Sequence, residues 1–227
     1  MMSLSKYLQD NRGILLFAFL LFCFRSTVAD WNDVPSGSME PSILVGDRVF
    51  VNKLAYDIRI PFTHISLYHK ADPKRGDIIV FDSKHAGKKL IKRTIGIAGD
   101  EVQMVNNQLI INGQPAQYHD PDQDWLTQLS QPAIRTGVFA QESLAGLNHP
   151  VRFNPLQLSP LRNFEPVQVP PGYVLVLGDN RDNSADSRVH GLVPLTEITG
   201  QALSVVVSLD KENRYLPRPD RLFWKLP

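Results

Sequence analysis

The chain has one cysteine, Cys23, among its 227 residues. A single thiol forms no intrachain disulfide and no cysteine-based metal site. The lack of disulfides leaves an extracytoplasmic location open, because a chain of this length can bury a sufficient core without them. The six histidines show no ligand spacing, so neither a metal nor a cofactor is expected. Excess charge is lacking too. A net charge of +1 gives no basic field of the kind a nucleic-acid partner needs. No internal repeat is found. The 17 prolines favour loops and short strands over long helices.

One apolar run stands out, Ile14 to Phe24. It is shorter than the ~20 residues a spanning helix usually needs. Two readings follow. It is the hydrophobic region of a cleavable signal peptide, with Thr27-Val28-Ala29 as the small-residue cleavage site. Or it is an uncleaved anchor over 13–30, with Arg25 reaching back to the interface. Lys6 and Arg12 before it, and Asp30, Asp33 and Glu40 after it, orient it N-terminus inside.

Beyond the run the pattern is β. Gly46 to Lys53, Ile78 to Phe81, Lys88 to Ile97, Tyr173 to Leu177 and Gly200 to Ser208 read as strands. Glu101 to Val105 and Gln108 to Ile111 read as a hairpin across Asn106-Asn107. Asp57 to Lys74 reads as a loop. Residues 102–168 read as an inserted subdomain, with a helical turn near Asp124 to Leu129, strands near Gly137 to Glu142 and Pro150 to Phe153, and no chemistry of their own. The expected organisation is a polar start (1–12), the anchor (13–30), a mainly β body (31–101 and 169–227) and the insertion.

Three stretches carry possible chemistry. Val34-Pro35-Ser36-Gly37-Ser38-Met39-Glu40-Pro41-Ser42 is a turn shaped by proline and glycine. It can present a serine hydroxyl, but serine is a weak nucleophile without a base. By itself the stretch reads more as a linker than as a site. Lys92 lies in the apolar strand Leu90-Ile91-Lys92; if it faces inward, burial lowers its pKa and makes it a base near neutrality. The plain alternative is a surface lysine in a basic run. Gly178 to Arg188 is a polar loop directly after a core strand. A calcium loop is excluded by its spacing and its arginines. A self-bonded loop is expected instead, with Asp182 and Asp186 pairing Arg181 and Arg188 and Ser184 held beside another element.

Together these stretches resemble the type I signal peptidase (leader peptidase) family of membrane-bound Ser/Lys endopeptidases. Pro35-Ser36-Gly37-Ser38-Met39-x-Pro41-Ser42, Lys74-Arg75-Gly76-Asp77-Ile78-Ile79-Val80-Phe81, Ile91 to Asp100 and Gly178 to Arg188 resemble that family's boxes, in its order. The resemblance implies a signal-peptidase-like β fold, with antiparallel, barrel-like sheets and one N-terminal transmembrane helix. It implies Ser38 as nucleophile and Lys92 as general base. It implies Ser36 as an oxyanion donor beside the Ser38 N–H, and Ser184 as the partner orienting Lys92. Val34, Met39, Ile43, Val80, Ile91 and Ala185 are implied to line shallow pockets for small residues at −1 and −3 of the cleavage site. Implied partners are preprotein signal peptides and the lipid bilayer, with the chain in the bacterial inner membrane and its catalytic part outside. A dedicated maturation peptidase of the same Ser/Lys clan and a non-catalytic membrane-anchored β module are the competing readings.

Overall fold

The computed structural model describes residues 10–227 except 64, 122–125, 127, 128, 130, 157, 158 and 212. It begins with a helix, Arg12–Thr27. Its strands, in chain order, are β1 (Ala29–Asp33), β2 (Asp47–Asn52), β3 (Asp57–Arg59), β4 (Ser66–His69), β5 (Ile78–Ser83), β6 (Lys88–Gly96), β7 (Glu101–Val105), β8 (Gln108–Ile111) and β9 (Gln114–Pro115). The second half supplies β10 (Gln117–His119), β11 (Val138–Leu144), β12 (Leu147–Phe153), β13 (Phe164–Gln168), β14 (Tyr173–Leu177), β15 (Val193–Pro194), β16 (Ile198–Asp210) and β17 (Leu216–Pro217).

The main sheet runs β1-β2-β16-β5-β6-β14-β15, with β17 on β16, and its pairings are antiparallel. Its path does not close into a barrel. It curls instead, so that the end of β1 and the start of β6 face one another across a groove. Apolar alternation explains the central strands. Val49 and Val51 of β2 and Ile78 and Val80 of β5 pack with Met39, Ile43, Ala202 and Val205 on one face. Ile79, Phe81, Val174 and Val176 pack on the other.

The insertion builds two small sheets, β13-β7-β8-β9 and β10-β11-β12. The β7–β8 hairpin turns at Asn106 and Asn107, at φ of 51° and 65°, as a type I′ turn requires. Its core is continuous with the main sheet: Val102, Met104, Leu109 and Ile111 pack against Ile95, Leu175 and Leu177.

Three expectations need correction. The N-terminal helix stops at Thr27 rather than continuing through Ala29, because Ala29 pairs with Asn52 in β1. Lys53 Nζ donates to the Arg25 and Ser26 carbonyls and closes the helix end. At 16 residues the helix is about 24 Å long. No helix among the described residues is long and apolar enough to cross a membrane. Second, Asp57 to Lys74 is not all loop: β3 and β4 form a small hairpin there. Third, the self-bonded polar loop is only half right, since Arg181 and Asp182 find their partners in the insertion. The expected helical turn near Asp124 lies mostly outside the described residues.

Candidate active site

The serine turn follows β1 and is held open rather than extended. Val34 N–H donates to the Asp47 carbonyl, Glu40 N–H to the Gly37 carbonyl and Ile43 N–H to the Met39 carbonyl. The last of these is a helical-type turn that buries Met39 and Ile43 while Ser38 stays half-exposed. The loop after β14 grips the same turn from the other side. Asn180 N–H donates to the Ser38 carbonyl at 3.1 Å, and Asn180 Nδ2 to the Gly37 carbonyl at 2.9 Å. Gly178 fits between the two elements: a Cβ there would lie 2.2 Å from Ser184 Oγ and 2.4 Å from the Ser38 carbonyl oxygen.

β6 brings Lys92 to the same turn. Lys92 Nζ lies 2.9 Å from Ser38 Oγ and 2.9 Å from the Ile91 carbonyl oxygen. Lys92 is only 3% exposed. Burial pushes its pKa from the ordinary 10.5 down to about 8, against the opposing pull of Asp186 and Asp179; Lys88 and Arg188 add to the lowering. When Lys92 is charged it donates to Ser38. When it is neutral the contact reverses, and the hydroxyl donates to the amine lone pair.

Ser36 and Ser38 border the groove together. Neither the Ser36 hydroxyl nor the Ser38 N–H has a hydrogen-bond partner among the described residues. Ser184 is buried, but its hydroxyl meets no partner in hydrogen-bonding geometry, so the bond to Lys92 that the resemblance implies is not formed. Ser184 lies close enough to Asp186 to help hold that carboxylate charged.

The groove, about 340 Å³, runs between Asn32–Ser36 and Lys88–Lys92. Val34, Met39, Ile43 and Ile91 line it. Val80 and Ala185 do not. Val80 is fully buried opposite Ile91 in the β5–β6 register, beneath the groove, and Ala185 is exposed outside it. β14 pairs with β6 only as far as Arg93, so the β6 edge from Lys88 to Lys92 is open toward the groove.

A family model described as signal peptidase, peptidase S26, matches residues 9–207. The chain belongs to that family. Signal peptidase I of Pseudomonas fluorescens is 33% identical over 204 residues, 84% of this chain and 69% of that protein. Signal peptidase I of Aquifex aeolicus is 31% identical, over 86% of this chain and 82% of the other. A solved signal peptidase I of Enterococcus faecalis is 30% identical over 58% of this chain and 97% of its own, with a TM-score of 0.35.

The signal-peptidase boxes carry more than Ser38 and Lys92. Next to Lys92, Arg93 is 1% exposed and forks onto Asp179, through Nε to Oδ1 at 2.9 Å and Nη2 to Oδ2 at 2.8 Å. Ser42 donates to the same carboxylate. Arg188 pairs with Asp186, which also accepts from the Gly178 N–H. Burial pushes the Asp186 carboxyl up, but these bonds outweigh it and hold the group below its ordinary range.

The insertion, expected to carry no chemistry, supplies buttresses. Glu142 accepts both ends of the Arg181 fork at 2.6 Å. Arg162 pairs with Asp182. Arg152 pairs with Glu40. His149 is fully buried between Glu142 and Asp179; burial, then Arg93 and Arg181, keep it neutral. One signal for these pairs was present in the sequence. A charged residue inside a core strand or directly after one, as with Arg93 and Arg181, demands a buried counter-charge.

Proposed function

We propose that this chain removes signal peptides from secreted preproteins through a Ser38–Lys92 dyad. The observation that carries the reading is the 2.9 Å contact from a buried, base-poised Lys92 to Ser38 Oγ.

The preprotein lies extended along the open Lys88–Lys92 edge of β6 and beside the end of β1, adding a strand where the curled sheet leaves a gap. Val34, Met39, Ile43 and Ile91 leave room for small side chains at −1 and −3. Neutral Lys92 takes the Ser38 proton as Oγ attacks the scissile carbonyl carbon. The oxyanion is received by the Ser38 N–H and the Ser36 hydroxyl, two donors left without other partners. The Lys92 ammonium then protonates the leaving amine, which departs as the mature N-terminus and leaves an ester on Ser38. Neutral Lys92 next draws a proton from water as its oxygen attacks the ester carbon; the Lys92 ammonium returns that proton to Ser38 Oγ as the C–Oγ bond breaks, and the signal peptide leaves as a carboxylic acid that ionises in solvent. The Ile91 carbonyl holds Lys92 Nζ beside Ser38, and the Asp186 charge acts on the same amine, the kind of positioning that histidine receives in a triad.

The apolar residues of the N-terminal helix are exposed on all sides, so no part of the described fold covers them. A bilayer is the solvent that suits such a surface, and a membrane seat at this point places the groove near the lipid, where a signal peptide ends.

The test is cleavage of a purified preprotein by wild type, Ser38→Ala and Ser36→Ala. Loss of all cleavage in Ser38→Ala and a ~100- to 1000-fold loss in Ser36→Ala are expected. A cleaving Ser38→Ala variant overturns the reading.

A further inference from the structure

Glu40 lies in the serine turn between Met39 and Pro41, where no catalytic role is implied. Its carboxylate folds back over the turn: a Cβ on Gly37 would meet Glu40 Oε1 at 2.6 Å. Gly37 separates Ser36 from Ser38, so a negative charge stands against the backbone that carries both oxyanion donors. Alone, that charge opposes the oxyanion.

Arg152, from β12 of the insertion, answers it. Its Nη1 pairs with Glu40 Oε2, with side chains only 12% and 17% exposed. Its Nη2 donates to Thr136 Oγ1 at 3.0 Å, and its guanidinium lies 5.8 Å from the Phe139 ring centre. Its backbone is fixed as well. Arg152 N–H donates to the Asp179 carbonyl, and Arg181 N–H to the Arg152 carbonyl. One residue therefore ties the insertion to the loop that grips Ser38 and sets its charge beside the serine turn.

We propose that Arg152 is a positioning residue for cleavage: it neutralises Glu40 against the oxyanion site and locks the Gly37 turn. The proposal rests on the assignment of the oxyanion to Ser36 and the Ser38 N–H. Its action is on the transition state more than on substrate binding, because charge at this place develops only there.

The experiment measures kcat and KM for preprotein cleavage by the full chain, with melting temperatures, for wild type, Arg152→Gln, Arg152→Lys and Glu40→Gln/Arg152→Gln. Arg152→Gln takes the Arg152 charge away from Glu40, and kcat falls ~10-fold or more while KM stays within about twofold. Removing the offending charge in Glu40→Gln/Arg152→Gln raises kcat above that of Arg152→Gln. Arg152→Lys, which retains the charge, keeps kcat within about threefold of wild type. A wild-type kcat in Arg152→Gln, or a double variant no faster than Arg152→Gln, overturns the proposal. If Arg152→Gln does not fold, a tenfold loss of kcat in folded Arg152→Lys overturns it. Ser38→Ala, run alongside, separates the two levels. An active Ser38→Ala defeats the dyad itself, whereas an inert Ser38→Ala with an unimpaired Arg152→Gln defeats only the clamp.

Discussion

Arg181 and Glu142 face one another wholly buried, joined by two hydrogen bonds of 2.6 Å. One belongs to the loop that grips Ser38, the other to β11 of the insertion. Tyr118 also donates to Glu142, at 2.8 Å. The pair makes the small sheets part of the catalytic architecture rather than an appendage.

Glu142→Ala leaves the Arg181 guanidinium buried and unpaired. A loss of about 3–5 kcal/mol in unfolding free energy is expected, read by denaturant titration. Replacing both partners with apolar residues of similar volume costs less than Glu142→Ala alone. Equal losses in the two would mean that the pair's charge is not what matters.

Gly178→Ala tests the seam between the serine turn and the polar loop. The added methyl meets Ser184 Oγ and the Ser38 carbonyl well inside contact distance. The neighbours are a core side chain and backbone, so the Ser38 turn must shift. A displacement near 1 Å in a catalytic pair costs ~100-fold in rate, and that loss is expected with the melting transition still cooperative. Wild-type cleavage by this variant would show that the seam is looser than described.

Lys92→Met predicts a trade of activity for stability. Wild-type Lys92 has a folded pKa near 8 against 10.5 unperturbed. Below pH 8 both folded and unfolded chains carry the charge, and the cost of burying it is fully present. Between pH 8 and 10.5 the unfolded chain holds the proton that the folded chain has released, so wild-type stability rises with pH. Lys92→Met is therefore inactive but more stable at pH 7, by roughly 1–3 kcal/mol, and its advantage shrinks above pH 8. Parallel stability–pH curves for the two chains would contradict a desolvated lysine.

Much of the site was legible in the sequence, for physical reasons. The Pro-Ser-Gly-Ser turn and the strand bearing Lys92 are local patterns, and both lie where expected. Tyr173–Leu177 and the Asn106-Asn107 hairpin were equally local. The supporting contacts were not. Arg181–Glu142 and Arg152–Glu40 join residues 39 and 112 positions apart, and neither composition nor periodicity records such a distance. β1 was missed because Ala-Asp-Trp-Asn-Asp alternates only over Ala29 and Trp31 and is rich in Asp and Asn, which are depleted in strands; its form comes from pairing with β2. The inward aim of Lys92 was a conditional reading, since alternation gives Lys92 and Arg93 opposite faces. Both faces of β6 prove to be buried there, and the partners differ: Lys92 meets Ser38 and Arg93 meets Asp179.

The most direct test of the account is the pH dependence of kcat/KM for preprotein cleavage. A Lys92 that must be neutral to take the Ser38 proton gives a rate that climbs with pH and levels off around an apparent pKa of about 8. A profile still rising beyond pH 10, as an ordinary solvated lysine would give, contradicts it.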